Sequence, residues 1–236
     1  MSRKLLTIKY NGTNYHGWQV QKNGISVQKT VCDALEKLYS CKVNATGCSR
    51  TDSGVHAIEY CLHFDDIKQF DNNTVVSALN SYLPKDIVAL KCKDVKSDFH
   101  ARYSVKDKTY IYKMYIGQRD PFSEGFAYHY KGKPDIDKMN KFAETLLGTH
   151  DFAAFCSSGS SVQSTVRTLK KASVKQIGNT ITFTFCADGF LYNMVRILVG
   201  TLLYVSDGKI DASCALDIIN SKDRKKAGKT VPACGL

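Results

Sequence analysis

One short stretch of the chain, residues 47–57, places a carboxylate where it could do chemistry. It reads Gly-Cys-Ser-Arg-Thr-Asp-Ser-Gly-Val-His-Ala, with Asp52 between Arg50 and Gly54. The flanking residues alternate in polarity as strands do, so we expect Asp52 in the turn between two strands, with Gly54 free to adopt a positive φ. A carboxylate held by such a turn can act as a nucleophile or as an acid or base. The same residues could instead form a purely structural Asx turn.

Composition favours a polyanionic partner and a reducing compartment. The chain has 236 residues, with 33 Lys and Arg against 22 Asp and Glu, a formal net charge of +11. Such a surplus suits nucleic acid or an anionic membrane surface. The nine cysteines are odd in number and include no Cys-x-x-Cys pair, which argues against a disulfide framework or a zinc site. With no recognisable signal peptide or membrane-spanning run, we expect a cytoplasmic protein.

The first half of the chain predicts the element order β-α-β-β-α-β. Residues 4–10 alternate as a strand, Ser26 can cap a helix, and the two strands around Asp52 follow. Residues 73–82 then fit a second helix that Pro84 ends, before a strand at 86–91. This order is typical of the ferredoxin-like arrangement, an antiparallel sheet with two helices on one face, which occurs both in RNA-binding domains and in domains that bind no RNA.

The second half predicts a looser repetition of the same α+β pattern. In the basic stretch 99–108 the apolar residues follow neither the helical nor the strand period. We therefore place the connection between two α/β domains, 1–105 and 106–236, in this stretch. The elements expected in the second domain are a strand at 109–115, a helix at 135–147 capped by Gly148, a Ser/Gly-rich loop through Ser164, strands at 166–176 and 180–186, a buried helix at 190–205 and a short helix at 211–220. The basic run 222–229 is expected to be a solvated tail. The predicted fold class is therefore α+β, with two ferredoxin-like subdomains.

Several chemistries lack the residues that they require. There is no dinucleotide-binding glycine motif, no phosphate-binding Gly-Lys-Ser/Thr loop and no His-Glu-x-x-His, and the six histidines show no metal-ligand spacing, so we expect neither a metal nor a cofactor. Residues 52–54 do match the Asp-Ser/Thr-Gly loop of aspartic proteases. That chemistry needs two carboxylates that share a proton, whereas the motif occurs once and lies beside Arg50.

Two further side chains are candidates for binding. Arg196 falls inside an apolar helical stretch, where a guanidinium is costly unless it pairs with a carboxylate or an anion, or extends to the surface. Tyr110 lies on a predicted strand near Lys106 and Lys108. Its ring could stack on a nucleobase, although a tyrosine on a strand more often packs within the sheet.

Residues 49–57 resemble the central motif of the TruA-type tRNA pseudouridine synthases. Further stretches agree in the same order: Gly-Thr-Asn-Tyr-His-Gly-Trp-Gln at 12–19, Phe-His-Ala-Arg at 99–102, Lys-Thr-Tyr-Ile-Tyr at 108–112 and Phe-Leu-Tyr-Asn-Met-Val-Arg at 190–196. Five motifs in register make the resemblance specific. The chain departs from the family at Ser49, often glycine, at Ser53, often alanine, and at Asn11, often aspartate, none of which removes a group that the chemistry needs.

The resemblance implies an isomerase that converts uridine to pseudouridine in the anticodon arm of tRNA, at some or all of positions 38, 39 and 40. It implies a homodimer of two-domain subunits that uses no metal and no small-molecule cofactor. The family's nucleophilic aspartate matches Asp52, its uracil-stacking tyrosine matches Tyr110 and its carboxylate-pairing arginine matches Arg196. Arg50, beside the nucleophile, is our candidate for holding the extruded RNA backbone.

The chemistry needs a flipped nucleotide, because the reacting atoms are inaccessible in a stacked stem. Asp52 could attack C1′ of the ribose or C6 of the uracil, and the sequence leaves both open. A non-catalytic RNA-binding module would show the same element order and charge, and it remains the main alternative.

Overall fold

A four-stranded antiparallel sheet forms the centre of the first half of the chain. The computed structural model describes residues 2–159 and 162–236, and it divides the chain into two compact units, Met1–Val105 and Lys106–Leu236. The strands of the first unit are β1 (Ser2–Tyr10), β2 (Thr46–Gly47), β3 (Ala57–Asp66) and β4 (Ile87–Val95), in the order β2-β3-β1-β4. With helices α1 (Val27–Tyr39) and α2 (Asn72–Tyr82), this is the predicted β-α-β-β-α-β arrangement.

Side-chain caps and apolar periodicity explain where the two helices form. α1 begins after Ser26, whose hydroxyl accepts a hydrogen bond from Lys29 N. Asp71 caps α2 in the same way, by accepting from Asn73 N and Thr74 N. The apolar residues of both helices pack with one face of the sheet in a single core, in which Leu6, Ile8, Leu62, Val27, Val31, Leu35, Val75 and Leu79 are fully buried.

The strand expected before the Asp52 turn is shorter than predicted. Val43 and Ala45 are buried, but pairing with β3 begins only at Thr46, which lies opposite His63. The alternation of apolar residues there therefore reflects burial of a loop against the core rather than a ladder of hydrogen bonds.

The second unit contains a five-stranded mixed sheet. Its strands are β5 (Lys108–Tyr115), β6 (Tyr128–His129), β7 (Gly148–Asp151), β8 (Val166–Ile177) and β9 (Thr180–Ala187), in the order β6-β5-β9-β8-β7. β5 and β6 are parallel, and the other pairs are antiparallel. Helices α3 (Ile136–Thr145), α4 (Met194–Ser206) and α5 (Ala215–Ser221) complete the unit, so the predicted α+β class is confirmed.

Helix boundaries in the second unit differ from the predictions for local reasons. α4 begins at Met194 rather than at 190, because Asn193 adopts a left-handed conformation with φ of 59°. α3 ends at Thr145, and Gly148, with φ of 105°, begins β7 instead of capping the helix. In the Ser/Gly-rich loop expected through Ser164, residues 160 and 161 lie outside the described residues.

The basic run 222–229 is not the solvated tail that we expected. Arg224 donates to the carbonyl of Gly228 and to the Thr230 hydroxyl, and Ala227 is buried. Gly228 N also donates to Thr201 Oγ1 on α4, which attaches the run to the second unit, while its lysine side chains remain exposed. No helix in the part of the chain that the structure describes has both the length and the apolar character needed to cross a membrane.

Candidate active site

The turn that carries Asp52 connects β2 to β3 in the first unit. The Asp52 side chain is half-buried, whereas Arg50 is exposed. Val55 N donates to the Asp52 carbonyl at 3.2 Å, which closes the turn, and Gly54 has φ of 77°. A residue with a Cβ would be strained at that φ, so Gly54 gives the chain its tight reversal directly after the carboxylate.

The loop that follows β1, residues 12–19, lies at the same end of the sheet and packs against this turn. Hydrogen bonds join β1 and the loop to the turn: Trp18 N to Thr51 O (3.2 Å), Gly54 N to Tyr15 O (3.1 Å), Gly12 N to His56 Nδ1 (3.0 Å) and Tyr10 Oη with Thr51 Oγ1 (2.9 Å). Thr51 and Gly54, which flank Asp52 and Ser53, therefore belong to a hydrogen-bonded framework that fixes the main chain of the turn before any substrate arrives.

Two glycines allow the loop to approach the turn so closely. A Cβ added to Gly12 would lie 1.9 Å from Val55 O, and one added to Gly17 would lie 2.2 Å from Thr51 O. Gly17 also has φ of 78°. Since no side chain fits at either distance, the glycines of the 12–19 motif are required by backbone contact with the Asp52 turn.

Aromatic rings support the turn from the core side. Tyr60, on β3, lies between Trp18, at 4.4 Å between ring centroids, and Tyr10, at 5.7 Å. The Tyr60 hydroxyl donates to the Ser49 carbonyl inside the turn. All three rings are buried. Because buried rings in contact resist displacement, the base of the turn is stiff.

Tyr15 fastens the loop to the start of β4. Its hydroxyl donates to Asp86 Oδ1 at 2.7 Å, and its ring is buried. Burial, and secondly the hydrogen bond to the Asp86 carboxylate, raises the pKa of Tyr15. The phenol therefore stays protonated at neutral pH and keeps donating to Asp86.

In the second unit, Tyr110 lies on β5 with its side chain half-buried. Its ring meets that of Phe190 edge to face, with centroids 4.9 Å apart and planes at 81°. The next residue on the same face, Tyr112, is fully buried, and burial raises the pKa of its hydroxyl. Tyr110 is therefore at the margin of the core, where one part of its ring is packed and the rest is accessible.

Arg196, on the first turn of α4, is held by main-chain and side-chain acceptors. Its Nε donates to Val231 O at 2.8 Å, and its Nη1 donates to Asn193 Oδ1 at 2.8 Å. Asn193 is itself fixed, because its Nδ2 donates to Ser157 Oγ at 3.0 Å. The guanidinium carries its N–H donors in a planar fork, so these two contacts fix the orientation of the group.

The C-terminal segment, residues 227–236, lies along α4 and supplies the Val231 carbonyl. Gly228 N donates to the buried hydroxyl of Thr201 at 2.8 Å. A Cβ on Gly200 would lie 1.8 Å from Lys229 O, so glycine is required where the segment crosses the helix. Tyr112 adds a second anchor, because its hydroxyl donates to Pro232 O at 2.9 Å.

Comparison with known proteins supplies the family. A family model described as tRNA pseudouridine synthase matches residues 6–104 and 142–236, most of the chain. The chain belongs to the tRNA pseudouridine synthase family. The matched ranges include Asp52, Arg50 and Arg196, whereas Tyr110 lies in the intervening stretch.

Curated relatives of the family cover nearly the whole chain. A protein of Clostridium acetobutylicum is 45% identical over 237 residues, spanning 100% of this chain and 97% of the relative. One of Acetivibrio thermocellus is 46% identical over 232 residues, with 98% and 95% covered, and one of Halalkalibacterium halodurans is 42% identical over 240 residues, with 100% and 90% covered. Each is named tRNA pseudouridine synthase A.

The residues singled out from the sequence fall into two groups. Asp52 and Arg50 share one turn of the first unit, and Tyr110 and Arg196 belong to the second unit. Sequence reasoning did not single out Phe190 or Val231, which contact Tyr110 and Arg196. Phe190 opens the 190–196 motif that carried the resemblance to the synthase family, so the motif contained that signal. For Val231 the sequence offered none, because the contact is made by a main-chain carbonyl.

No cluster of three or more histidine, cysteine, aspartate or glutamate side chains that could hold a metal ion occurs among residues 2–159 and 162–236. The candidate groups are a carboxylate, a guanidinium and main-chain amides in the first unit, and a phenol and a guanidinium in the second. Such a set can add a nucleophile to an electrophilic carbon, stack on a base and bind phosphate.

Proposed function

We propose that the chain isomerises uridine to pseudouridine in tRNA, at one or more of positions 38, 39 and 40 of the anticodon arm. The single observation that carries the proposal is Asp52 on a turn fixed from two sides, in a chain that matches tRNA pseudouridine synthases over nearly its full length. The formal net charge of +11 agrees with a polyanionic substrate.

The reaction breaks the N1–C1′ bond of the nucleoside and forms a C5–C1′ bond, while C5 loses a proton and N1 gains one. The net change is an isomerisation in which only the C5 and N1 protons are exchanged with solvent, so one ionised carboxylate can suffice and neither cofactor nor metal is required. We assign the nucleophile to Asp52, which attacks either C1′ or C6 of the target. The rigid main chain of its turn lets the carboxylate meet the substrate without reorganisation.

The remaining roles follow from the chemistry of each group. The target uridine must leave the stack, and stacking on Tyr110 offsets part of that cost. Arg196 supplies positive charge that favours the ionised carboxylate, and its oriented guanidinium suits a planar anionic partner. Arg50 is exposed beside the nucleophile, where it can hold the backbone of the extruded nucleotide. We further propose that the protein acts as a cytoplasmic homodimer.

A tritium-release assay tests the proposal against its alternatives. tRNA labelled at C5 of uracil loses tritium to water only if the C5–H bond breaks, which neither a non-catalytic RNA-binding module nor a protease would cause. Asp52→Asn keeps the size of the side chain but removes the nucleophile, so we expect background release with tRNA binding and thermal melting unchanged.

Glu36→Gln provides the matched control, because it removes one exposed carboxylate from the same unit. We expect this variant to release tritium like the parent. Release by a folded Asp52→Asn protein would show that another group is the nucleophile, and no release by the parent would refute the isomerase.

A further inference from the structure

Aromatic rings form a column at the end of β3 remote from the Asp52 turn. His63 lies on the sheet face opposite the core residues Leu62 and Phe64, since side chains alternate along a strand. His100 packs on it at 4.8 Å between centroids, and Tyr103 packs on His100 at 4.4 Å with planes 31° apart. We call these three rings the ring column.

The base of the ring column is fixed within the first unit. Ala101 N donates to His63 Nδ1 at 3.1 Å, and His63 is buried. Burial, then the charges of Arg3 and His100, lowers the pKa of His63. A neutral ring has a lone pair on one nitrogen, so His63 remains an acceptor at neutral pH and the 99–101 segment stays in place.

The outer ring is both held and exposed. Tyr103 N and Ser104 N donate to His100 O at 3.0 and 2.8 Å, and Arg102 N donates to His100 Nδ1 at 3.2 Å. These bonds hold the main chain of the turn, yet 76% of Tyr103 is accessible to solvent. A positioned aromatic ring with an accessible face is a stacking platform, whereas an aromatic core residue would be covered.

Positive charge adjoins this platform. The guanidinium carbon of Arg102 lies 5.9 Å from the centroid of the Tyr103 ring, and Arg102 is exposed. An aromatic ring beside a guanidinium is the combination that binds unpaired nucleotides, because the ring stacks on the base and the cation pairs with the phosphate.

We infer that Tyr103, backed by His100 and adjoined by Arg102, binds an unpaired base of the RNA substrate. The inference rests on the proposed function, since it takes tRNA as the ligand. The base is not the reacting uridine, because β3 rises about 3.3 Å per residue, so His63 at the base of the ring column lies about 20 Å along the strand from Ala57, where β3 leaves the Asp52 turn. Tyr103 thus extends recognition beyond the target nucleotide.

The test measures equilibrium binding of an unmodified tRNA transcript to the full-length protein over a series of salt concentrations. Loss of one base-stacking contact lowers affinity by roughly 5- to 150-fold, which we expect for Tyr103→Ala, while Tyr103→Phe should stay within about twofold of the parent. The slope of log affinity against log salt should not change in Tyr103→Ala, because stacking releases no counterions. Arg102→Ala should reduce that slope by about one.

Phe122→Ala is the matched control. Phe122 is 93% exposed, and no aromatic ring lies against it within residues 2–159 and 162–236. The Phe122→Ala variant should bind tRNA with the same affinity as the parent. Equal affinities for Tyr103→Ala and the parent would overturn the inference, as would equal losses in Tyr103→Ala and Phe122→Ala.

Tritium release by the same preparations separates the two proposals. A parent that releases tritium, with unchanged binding in Tyr103→Ala, refutes only the stacking site. A parent that binds tRNA but releases no tritium refutes only the isomerase, and the binding comparison still decides the role of Tyr103.

Discussion

Arg196 and Val231 exchange two hydrogen bonds, and each residue is the donor in one of them. Arg196 Nε donates to Val231 O at 2.8 Å, and Val231 N donates to Arg196 O at 3.3 Å. Val231 is fully buried. The pair joins the first turn of α4 to the C-terminal segment, so the orientation of the guanidinium depends on main chain that is distant in sequence.

This pair predicts the effect of Arg196→Lys. Lysine keeps the charge but lacks the planar fork, so it cannot reproduce the paired contacts of the guanidinium with Val231 O and Asn193 Oδ1. We expect kcat to fall at least roughly tenfold, the effect of losing about 1.4 kcal/mol of transition-state stabilisation. Pseudouridine content by mass spectrometry and tritium release measure the loss.

The control is Arg224→Lys, because Arg224 also donates to the C-terminal segment, at Gly228 and Thr230. If Arg196 only secured that segment, both variants would lose similar stability and keep similar activity. We expect Arg196→Lys to lose activity and Arg224→Lys to keep it.

Gly17→Ala should damage the turn of the candidate nucleophile from a distance in sequence. Its methyl group would overlap Thr51 O, and the φ of 78° would be strained, so we expect a loss of about 1–3 kcal/mol in unfolding free energy and a larger loss of activity. Gly178→Ala is the control, since Gly178 has φ of 56° but nothing within 4 Å of an added Cβ. Urea denaturation and tritium release together test this, and full activity in a folded Gly17→Ala protein would contradict it.

We expect tRNA binding to depend on the ring of Tyr110 and not on its hydroxyl. Tyr110→Phe keeps the edge-to-face contact with Phe190 and should bind tRNA normally, whereas Tyr110→Ala should lose about 1–3 kcal/mol of stacking. Tyr82→Ala, which removes an exposed ring from the end of α2, is the control. If Tyr110→Ala binds and turns over like the parent, the ring serves packing alone.

The basic surplus predicts a steep salt dependence. Each phosphate contact releases condensed counterions, so log affinity for tRNA should fall linearly with log salt, by about 0.7–0.9 for each contact made. We expect a slope equivalent to several contacts, measured by titration between low and physiological salt. Glu36→Gln should leave the slope unchanged, and a flat response in the parent would show that phosphate contacts contribute little.

Local signals in the sequence were sufficient to predict the elements whose formation depends on nearby residues. Ser26 and the apolar period predicted α1, and Gly54 indicated the reversal after Asp52. β6 and β7 were not predicted, because they have two and four residues and form only by pairing with longer strands. The start of α4 depended on the left-handed Asn193, a conformation that composition does not reveal.

The candidate site shows the same contrast between what local sequence predicts and what depends on tertiary contacts. Residue types and motif resemblance named Asp52, Arg50, Tyr110 and Arg196, but not what surrounds them. The contact of the 12–19 loop with the Asp52 turn joins residues about 40 positions apart, and the Arg196–Val231 pair uses main-chain groups that every residue has. Long-range contacts of this kind arise from packing, and the periodicity of apolar residues in the sequence does not predict them.

The division into two units also bears on synthesis. Met1–Val105 is an uninterrupted stretch with its own hydrophobic core, so it can fold on the ribosome before the rest of the chain has been made. At about 5–20 residues per second, the rest needs on the order of ten seconds to follow. The Asp52 turn is therefore expected to assemble co-translationally, well ahead of Arg196. Arg196 acquires its Val231 partner only after that residue, 35 positions later in the chain, has also been made.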